Sequence, residues 1–416
     1  MLSPISSLRM GKNKQKLVRP ETSHKPFWKW GLCFFCIALL LINIALILIA
    51  LPSSGWDFRV YISAVIAVLQ QLNPYDPGII SQFSMLPNFP FAYPPYTLAF
   101  FYLFYLTDFF YIYSLVWTAS LLASFYVINR LSKTNRLYLF TLLVTGFFSL
   151  FWTYLTGNLG AIYLFLVSLI FYFLSLKREY LSSIFLGIVA SFNLFPLAFS
   201  AIYLLLRKSL IERGKIIAIS LLTVGVLFLL SFLVNPVLFG QYMEGIQSGS
   251  SNPYFEGAGG NVPVSFYINT PTSYWLINQT LKFFGLHDSI VFFTLCIGYV
   301  LLIGGIWYLF YRDNRDNEIL LMCFAMFALF LILPRLKPYY FTLILIPLYL
   351  LTKEYGMKRK IVILSFASLV PLLLYFSYQV TQNILTSFGQ LWASLAVFIV
   401  VFHYSRKDSS IRNQAG

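Results

Sequence analysis

The stretch Gly31–Leu51 reads GLCFFCIALLLINIALILIAL, 21 residues without a charge. A helix needs about 20 such residues to cross the hydrocarbon of a bilayer. Ile216–Val234, IIAISLLTVGVLFLLSFLV, repeats the pattern far along the chain. These runs are continuous, whereas the strands of a membrane barrel alternate polar and apolar over short segments. Only helices satisfy the backbone of such a run in lipid. The rest of the composition agrees. Hydrophobic residues make up 59% and charged ones 10%, against roughly 25% charged in soluble domains. The expected fold class is all-α, a polytopic membrane protein.

The formal net charge of +15 would suit a nucleic-acid binder, but its placement argues otherwise. Seven of 29 basic residues lie in the first 30 positions: Arg9, Lys12, Lys14, Lys16, Arg19, Lys25 and Lys29. Most others sit in short clusters between apolar runs, the positive-inside pattern of cytoplasmic loops. Residues 1–29 thus read as a basic cytoplasmic tail, 30–404 as the membrane domain and 405–416 as a second cytoplasmic tail. Gly31–Leu51 lacks a small-residue cleavage site and reads as a retained anchor. Cys33, Cys36, Cys296 and Cys323 all lie in apolar runs, where a thiolate is costly, so packing is their expected role.

Alternation of the basic clusters orders the remaining segments. The spans are Phe109–Ile128, Leu137–Tyr154, Leu159–Leu176, Ile216–Phe239, Ile290–Tyr311, Ile319–Leu333, Phe341–Leu351, Ile361–Tyr378 and Leu391–Tyr404. Leu181–Leu206 should be two short helices meeting near Asn193–Pro196, since proline breaks a helix. Tyr96–Leu106 is too short to cross and reads as a juxtamembrane or re-entrant helix. That makes roughly twelve membrane segments with both termini cytoplasmic. The two long outer loops, 52–93 and 240–289, put the elaboration, and hence the working side, on the outer face.

The acids expected outside are Asp57, Asp76, Asp108, Glu244, Glu256 and Asp288. Asp57, at the membrane surface among Trp56, Phe58 and Tyr61, suits a general base; on the residues alone, a cap on the following helix is the favoured alternative. Asp76 lies in the turn Asn73-Pro74-Tyr75-Asp76-Pro77, where an Asx-type turn competes with any function. Asp108 reads as a helix cap. Arg335 and Lys337, in Pro334-Arg335-Leu336-Lys337-Pro338-Tyr339-Tyr340, break the positive-inside rule. Framed by prolines, they can hold a phosphate or merely snorkel to headgroups. Asn193 is a polar residue at membrane depth, functional or capping the break. His24, His287 and His403 are scattered and form no metal set.

Asp57-Phe58-Arg59-Val60-Tyr61, Asn73-Pro74-Tyr75-Asp76-Pro77 and Phe91-Ala92-Tyr93-Pro94-Pro95 together resemble the first outer loop of the polyprenol-phosphate-mannose-dependent α-mannosyltransferases, glycosyltransferase family 87, of the GT-C fold. Thr156-Gly157-Asn158 is similar to that family's Gly-Gln, with Asn158 replacing the Gln. Leu186-Gly187 through Asn193-Leu194-Phe195-Pro196 resembles its Ala-Gly … Lys-x-x-Pro segment, with Asn193 replacing the Lys. Arg207-Lys208 matches its trailing basic pair, and Pro334–Tyr340 stands at its late outer loop without the His sometimes found there. The resemblance implies a hexosyltransferase, mannose-like in specificity, that uses a polyprenyl-phosphate sugar and a cell-envelope glycan or glycolipid acceptor in the plasma membrane. It implies Asp57 as catalytic base, donor phosphate on Arg335, Lys337 and Tyr339, and substrate contacts from Arg59, Tyr61, Tyr75, Asp76, Tyr93, Asn158 and Asn193. Direct displacement of a phosphate ester needs no cofactor and no metal. A transporter or flippase of lipid-linked sugar is the competing class; paired repeats and broken helices in both halves would mark it.

Overall fold

The computed structural model describes residues 26–50, 55–86, 91–107, 109–132, 135–250, 272–286, 288–334 and 336–414. Most of the basic tail, Asp108, Glu256, His24, His287 and Arg335 lie outside the described residues. Among the described residues every regular element is helical. The elements are α1 (Pro26–Ala50), α2 (Trp56–Leu69), α3 (Pro77–Ser84), α4 (Tyr96–Tyr105), α5 (Phe109–Leu131), α6 (Arg136–Thr145), α7 (Ser149–Thr156), α8 (Gly160–Ser175) and α9 (Glu179–Phe192). A 3₁₀ segment, Phe195–Leu205, leads to α10 (Leu210–Val234), α11 (Pro236–Ser250), α12 (Ser273–Phe283), α13 (Ser289–Asp313) and α14 (Glu318–Leu331). After a 3₁₀ turn at Pro338–Phe341 come α15 (Thr342–Thr352), α16 (Met357–Leu364), a π segment Ser365–Leu369, α17 (Val370–Thr381), α18 (Ile384–Ser387) and α19 (Gly389–Gln414).

Among the described residues, five helical stretches are long and apolar enough to cross a membrane: Ile112–Leu131, Arg136–Thr156, Leu210–Val234, Ser289–Asp313 and Met357–Thr381. Seven shorter apolar helices accompany them, Tyr96–Tyr105 and Gly160–Ser175 among them. Arg136–Thr156 is mostly buried inside the fold, while the other four are apolar outward as well as inward. On α13 only Cys296, Ile303 and Phe310 are buried, a stripe one heptad apart, while Ile290, Leu301 and Leu302 stand exposed. A surface of that kind is stable against lipid, not water. Inside, small and hydroxylated residues join the helices, as they do where lipid removes the hydrophobic drive for association. Ser183 and Ser220 hydroxyls lie 2.6 Å apart between α9 and α10. A Cβ on Gly187 would come within 2.8 Å of the Ser220 carbonyl, so glycine there sets how closely those helices pack.

Local breaks depart from the expected boundaries. Leu181–Leu206 does divide at Asn193, but its second half is a 3₁₀ helix. The run expected as one span to Phe239 stops at Val234, because Pro236 starts a new helix after Asn235. The run Leu137–Tyr154 carries a break with no proline in it. Phe147 and Phe148 both take left-handed backbone, φ 51° and 57°, a conformation costing bulky residues about 1–2 kcal/mol each. The last helix continues past Tyr404 to Gln414, into the stretch expected as a tail.

At the far end of α8 from Asn158, ion pairs gather the other helix ends. Lys177 meets Glu318 at 3.1 Å, Arg207 meets Asp316 at 3.0 Å and Lys208 meets Glu179 at 3.3 Å.

Candidate functional site

Asp57 stands in the first turn of α2, but it is not the cap. Gly55 holds the N-cap position with φ 92°, and its amide donates to the Leu155 carbonyl at 2.7 Å. This bond ties the start of α2 to the end of α7. The alternative in which Asp57 caps the helix is therefore set aside: its carboxylate faces another element. Asn158 Nδ2 donates to Asp57 Oδ2 at 2.9 Å and to the Tyr61 hydroxyl at 3.0 Å, with Tyr93 Oη at 3.4 Å. Tyr61 and Tyr93 hydroxyls lie 2.9 Å apart. One amide thus links two of the first loop's three motifs to the turn between α7 and α8.

That turn is built by glycine. Gly157 has φ +76°, and a Cβ there would sit 2.5 Å from Phe58 Cβ and 3.2 Å from the Phe58 amide nitrogen. A Cβ on Gly160 would lie 2.4 Å from Thr153 Oγ1 and 3.3 Å from the Tyr339 carbonyl. Tyr113 clamps the turn from α5, its hydroxyl 2.9 Å from the carbonyls of both Thr153 and Asn158. The sequence Thr156-Gly157-Asn158 therefore brings α2, α5, α7, α8 and the late loop to one point.

Asp57 is half-buried. Burial raises its pKa to about 6; the Asn158 hydrogen bond, the nearby Lys337 charge and the Thr156 hydroxyl each pull it back down. A carboxylate poised there is ionised at neutral pH yet basic enough to take a proton. Burial holds the Tyr61 and Tyr93 phenols well above their ordinary range, so they serve as neutral hydrogen-bonding groups. Asn158 is itself only 1% exposed, and its Oδ1 has no hydrogen-bond partner among the described residues. A buried acceptor in that state is suited to a ligand hydroxyl.

The other expected residues divide into three groups. In the late loop, the charge of Lys337 reaches Asp57, and the charge of Asp57 in turn reaches the Tyr339 phenol. Asn193, at the break after α9, donates through Nδ2 to the Tyr340 hydroxyl, so it joins the late loop as well. Tyr75 is buried and structural: its hydroxyl donates to the Tyr93 carbonyl at 3.0 Å and its ring packs on Phe91 and Tyr242. Asp76 is exposed and accepts from the Gly78 amide at 2.7 Å, capping α3; this is the Asx-type geometry. Arg59 is exposed on α2.

Sequence reasoning left Tyr340 out of its site residues, although it adjoins Tyr339. It also missed Gln390, which is buried and donates through Nε2 to the Phe147 carbonyl at 2.8 Å. Only a polar residue opening an apolar run marks Gln390 in the sequence; its target, 243 residues away, is invisible there.

A search of curated proteins returns no match. A family model, glycosyltransferase family 87, matches residues 91–334. The match begins after Asp57 and ends before Lys337, so it includes Tyr93, Asn158 and Asn193 but leaves the charged pair to the geometry. It covers more than half of the 416 residues, and the chain belongs to glycosyltransferase family 87.

Proposed function

We propose that this membrane glycosyltransferase moves a hexose, mannose or a close analogue, from a polyprenyl-phosphate sugar to a cell-envelope glycan or glycolipid on the outer face of the plasma membrane. The observation that carries this reading is Asp57 held by Asn158 Nδ2 at 2.9 Å, with the charge of Lys337, 280 positions on in sequence, reaching it. An acid tuned upward and a cation within electrostatic reach are the two charges that displacement of a phosphate requires. Asp57 takes the proton of the acceptor hydroxyl as that oxygen attacks the anomeric carbon. The bond from that carbon to the phosphate oxygen breaks on the opposite side, and the configuration inverts. The polyprenyl phosphate departs with the bonding electrons, and Lys337 and Arg335 offset its charge. Asn158 orients Asp57 through Nδ2 and accepts from a substrate hydroxyl through Oδ1. Membership of a transferase family removes the transporter as the competing class. A donor entering from the bilayer and an acceptor in the envelope fit the GT-C arrangement of about twelve membrane segments, long outer loops and cytoplasmic termini.

The test is transfer of labelled hexose by the purified chain in lipid vesicles. Polyprenyl-phosphate mannose and polyprenyl-phosphate glucose serve as donors, with extracted envelope lipids as acceptors. Transfer from a nucleotide sugar alone would overturn the donor assignment. A second expected result concerns Lys337→Met. Loss of a charged hydrogen bond worth about 1.5–3 kcal/mol should raise KM for the donor about tenfold or more. The same change removes a charge that lowers the Asp57 pKa, so the acid limb of the pH–rate profile should move up from about 6. An unchanged KM with an unmoved limb would return Lys337 to the role of a snorkelling surface lysine.

A further inference from the structure

Gln390 lies in the first turn of α19, yet its amide turns to two carbonyls far away in the chain. Nε2 donates to the Phe147 carbonyl at 2.8 Å and reaches the Pro338 carbonyl at 3.5 Å, 243 and 52 residues away. A side-chain amide nitrogen carries two donor hydrogens, one for each acceptor. The pair of contacts is buried, where losing a partner costs more than at the surface.

The two acceptors belong to irregular backbone on either side of the fold. Phe147 stands at φ 51° in the break between α6 and α7. Pro338 opens the 3₁₀ turn Pro338–Phe341 and directly follows Lys337. The Phe147 and Phe341 rings lie 5.8 Å apart, so the break and the late loop already face each other. Within that turn the Tyr340 amide donates to the Lys337 carbonyl at 2.9 Å. On its other side α8 presses close, since a Cβ on Gly160 would lie 3.3 Å from the Tyr339 carbonyl.

The start of α19 is itself fixed. A Cβ on Gly389 would sit 2.9 Å from Leu374 Cβ and 3.2 Å from the Pro371 carbonyl, so glycine lets α19 begin hard against α17. Gln390 is thereby aimed at the late loop by a rigid neighbour. Both Gln390 and Pro338 lie beyond the family match, which stops at 334.

We propose that Gln390 is a positioning residue for the donor: its amide clips the late loop to the α6–α7 break and so fixes where Lys337 stands. The consequence for the donor rests on the reading of Lys337 as a phosphate ligand; the clip rests on the geometry alone. The C-terminal helices thus hold the cation of the site in register without touching substrate.

Hydrogen exchange on the full chain in nanodiscs, read at the Tyr340 amide, tests the clip. Gln390→Met keeps the length of the side chain and removes both donors, and should speed that exchange about tenfold or more. Gln390→Asn keeps an amide but shortens its reach; it should act alike, and serves if the methionine variant fails to fold. Thr145→Val is the comparison. It removes the 2.8 Å bond from Thr145 Oγ1 to Ser368 Oγ, which holds the same break without reaching the late loop, and should leave the Tyr340 exchange as in the parent.

In the transfer assay Gln390→Met should raise KM for polyprenyl-phosphate mannose about tenfold, because small displacements at a binding group are costly, and leave KM for acceptor alone. Thr145→Val should move neither. Unchanged Tyr340 exchange, faster exchange with donor KM unmoved, or Thr145→Val matching Gln390→Met would each overturn the positioning role. Faster exchange in a chain that transfers no hexose keeps the clip and sinks the transferase reading. Normal transfer with exchange unmoved does the reverse.

Discussion

Asp57→Asn should abolish sugar transfer and leave a better-folded protein. Loss of a positioned general base costs about 10²–10⁴ in rate, while the asparagine keeps the shape and an oxygen to accept from Asn158. The stability effect follows from linkage. The native pKa of about 6 lies above the ordinary 3.8, so the native state binds the proton more tightly than the unfolded chain does. Stability contributed by the protonated carboxyl is complete below about pH 3.8 and is lost as pH rises through about 6. At neutral pH the ionised carboxylate costs the fold of order 2–3 kcal/mol, and a neutral asparagine escapes that cost. Thermal unfolding at pH 7.5 should therefore occur at a higher temperature in Asp57→Asn than in the parent. The two should converge near pH 4. The parent's kcat/KM should fall about tenfold per pH unit below 6. Residual transfer near the parent's rate would remove Asp57 from the chemistry. A lower unfolding temperature would mean that the carboxylate holds the fold together instead.

Gly157→Ala has the next largest expected effect, and it acts without touching a charge. The left-handed φ of +76° alone costs an alanine about 1–2 kcal/mol. The new Cβ also meets Phe58 Cβ at 2.5 Å, with the Phe58 amide nitrogen at 3.2 Å. Backbone cannot swing aside as a flexible side chain can, so α2 must move off the α7–α8 turn. We expect about 2–4 kcal/mol of destabilisation and loss of the 2.9 Å bond between Asn158 and Asp57. Transfer should drop by at least about tenfold, because a shift of an ångström at a reacting group costs up to about a hundredfold. Gly225→Ala is the internal comparison. It lies in α10 with no atom within 4 Å of its Cβ position, and should be neutral or stabilising by up to about 1 kcal/mol. Equal behaviour of the two variants in unfolding and transfer would refute the account of the turn.

The candidate site was partly legible. Asp57 stood out because a carboxylate between aromatic residues at the end of an apolar run is unusual, and Lys337 because it broke the charge alternation. What each does depended on partners no local pattern names. The rule that aspartate caps helices pointed at Asp57, yet Gly55 took the cap and turned the carboxylate toward Asn158, 101 residues on. Asp76 and Tyr75, equally prominent in their motif, fold back on their own loop. Short-range motif density thus marked a structural turn as strongly as it marked the site.

The sequence by itself determined that this chain is helical and belongs with lipid, since continuous uncharged runs leave the backbone no other way to satisfy its hydrogen bonds. It also determined that a helix yields at Asn193–Pro196, because such a break acts within one turn, although the span read from Ile216 to Phe239 ran through the break at Pro236. Tertiary structure alone decided the rest. The break at Gly146–Phe148 has no local signal: it is held by Ser368 and Gln390 from helices more than 200 residues away. The convergence of Asp57, Asn158, Tyr61 and Tyr93 is likewise a product of packing. Apolar periodicity fixes which residues leave water, but only the close approach allowed by Gly157 and Gly160 fixes which polar groups then meet.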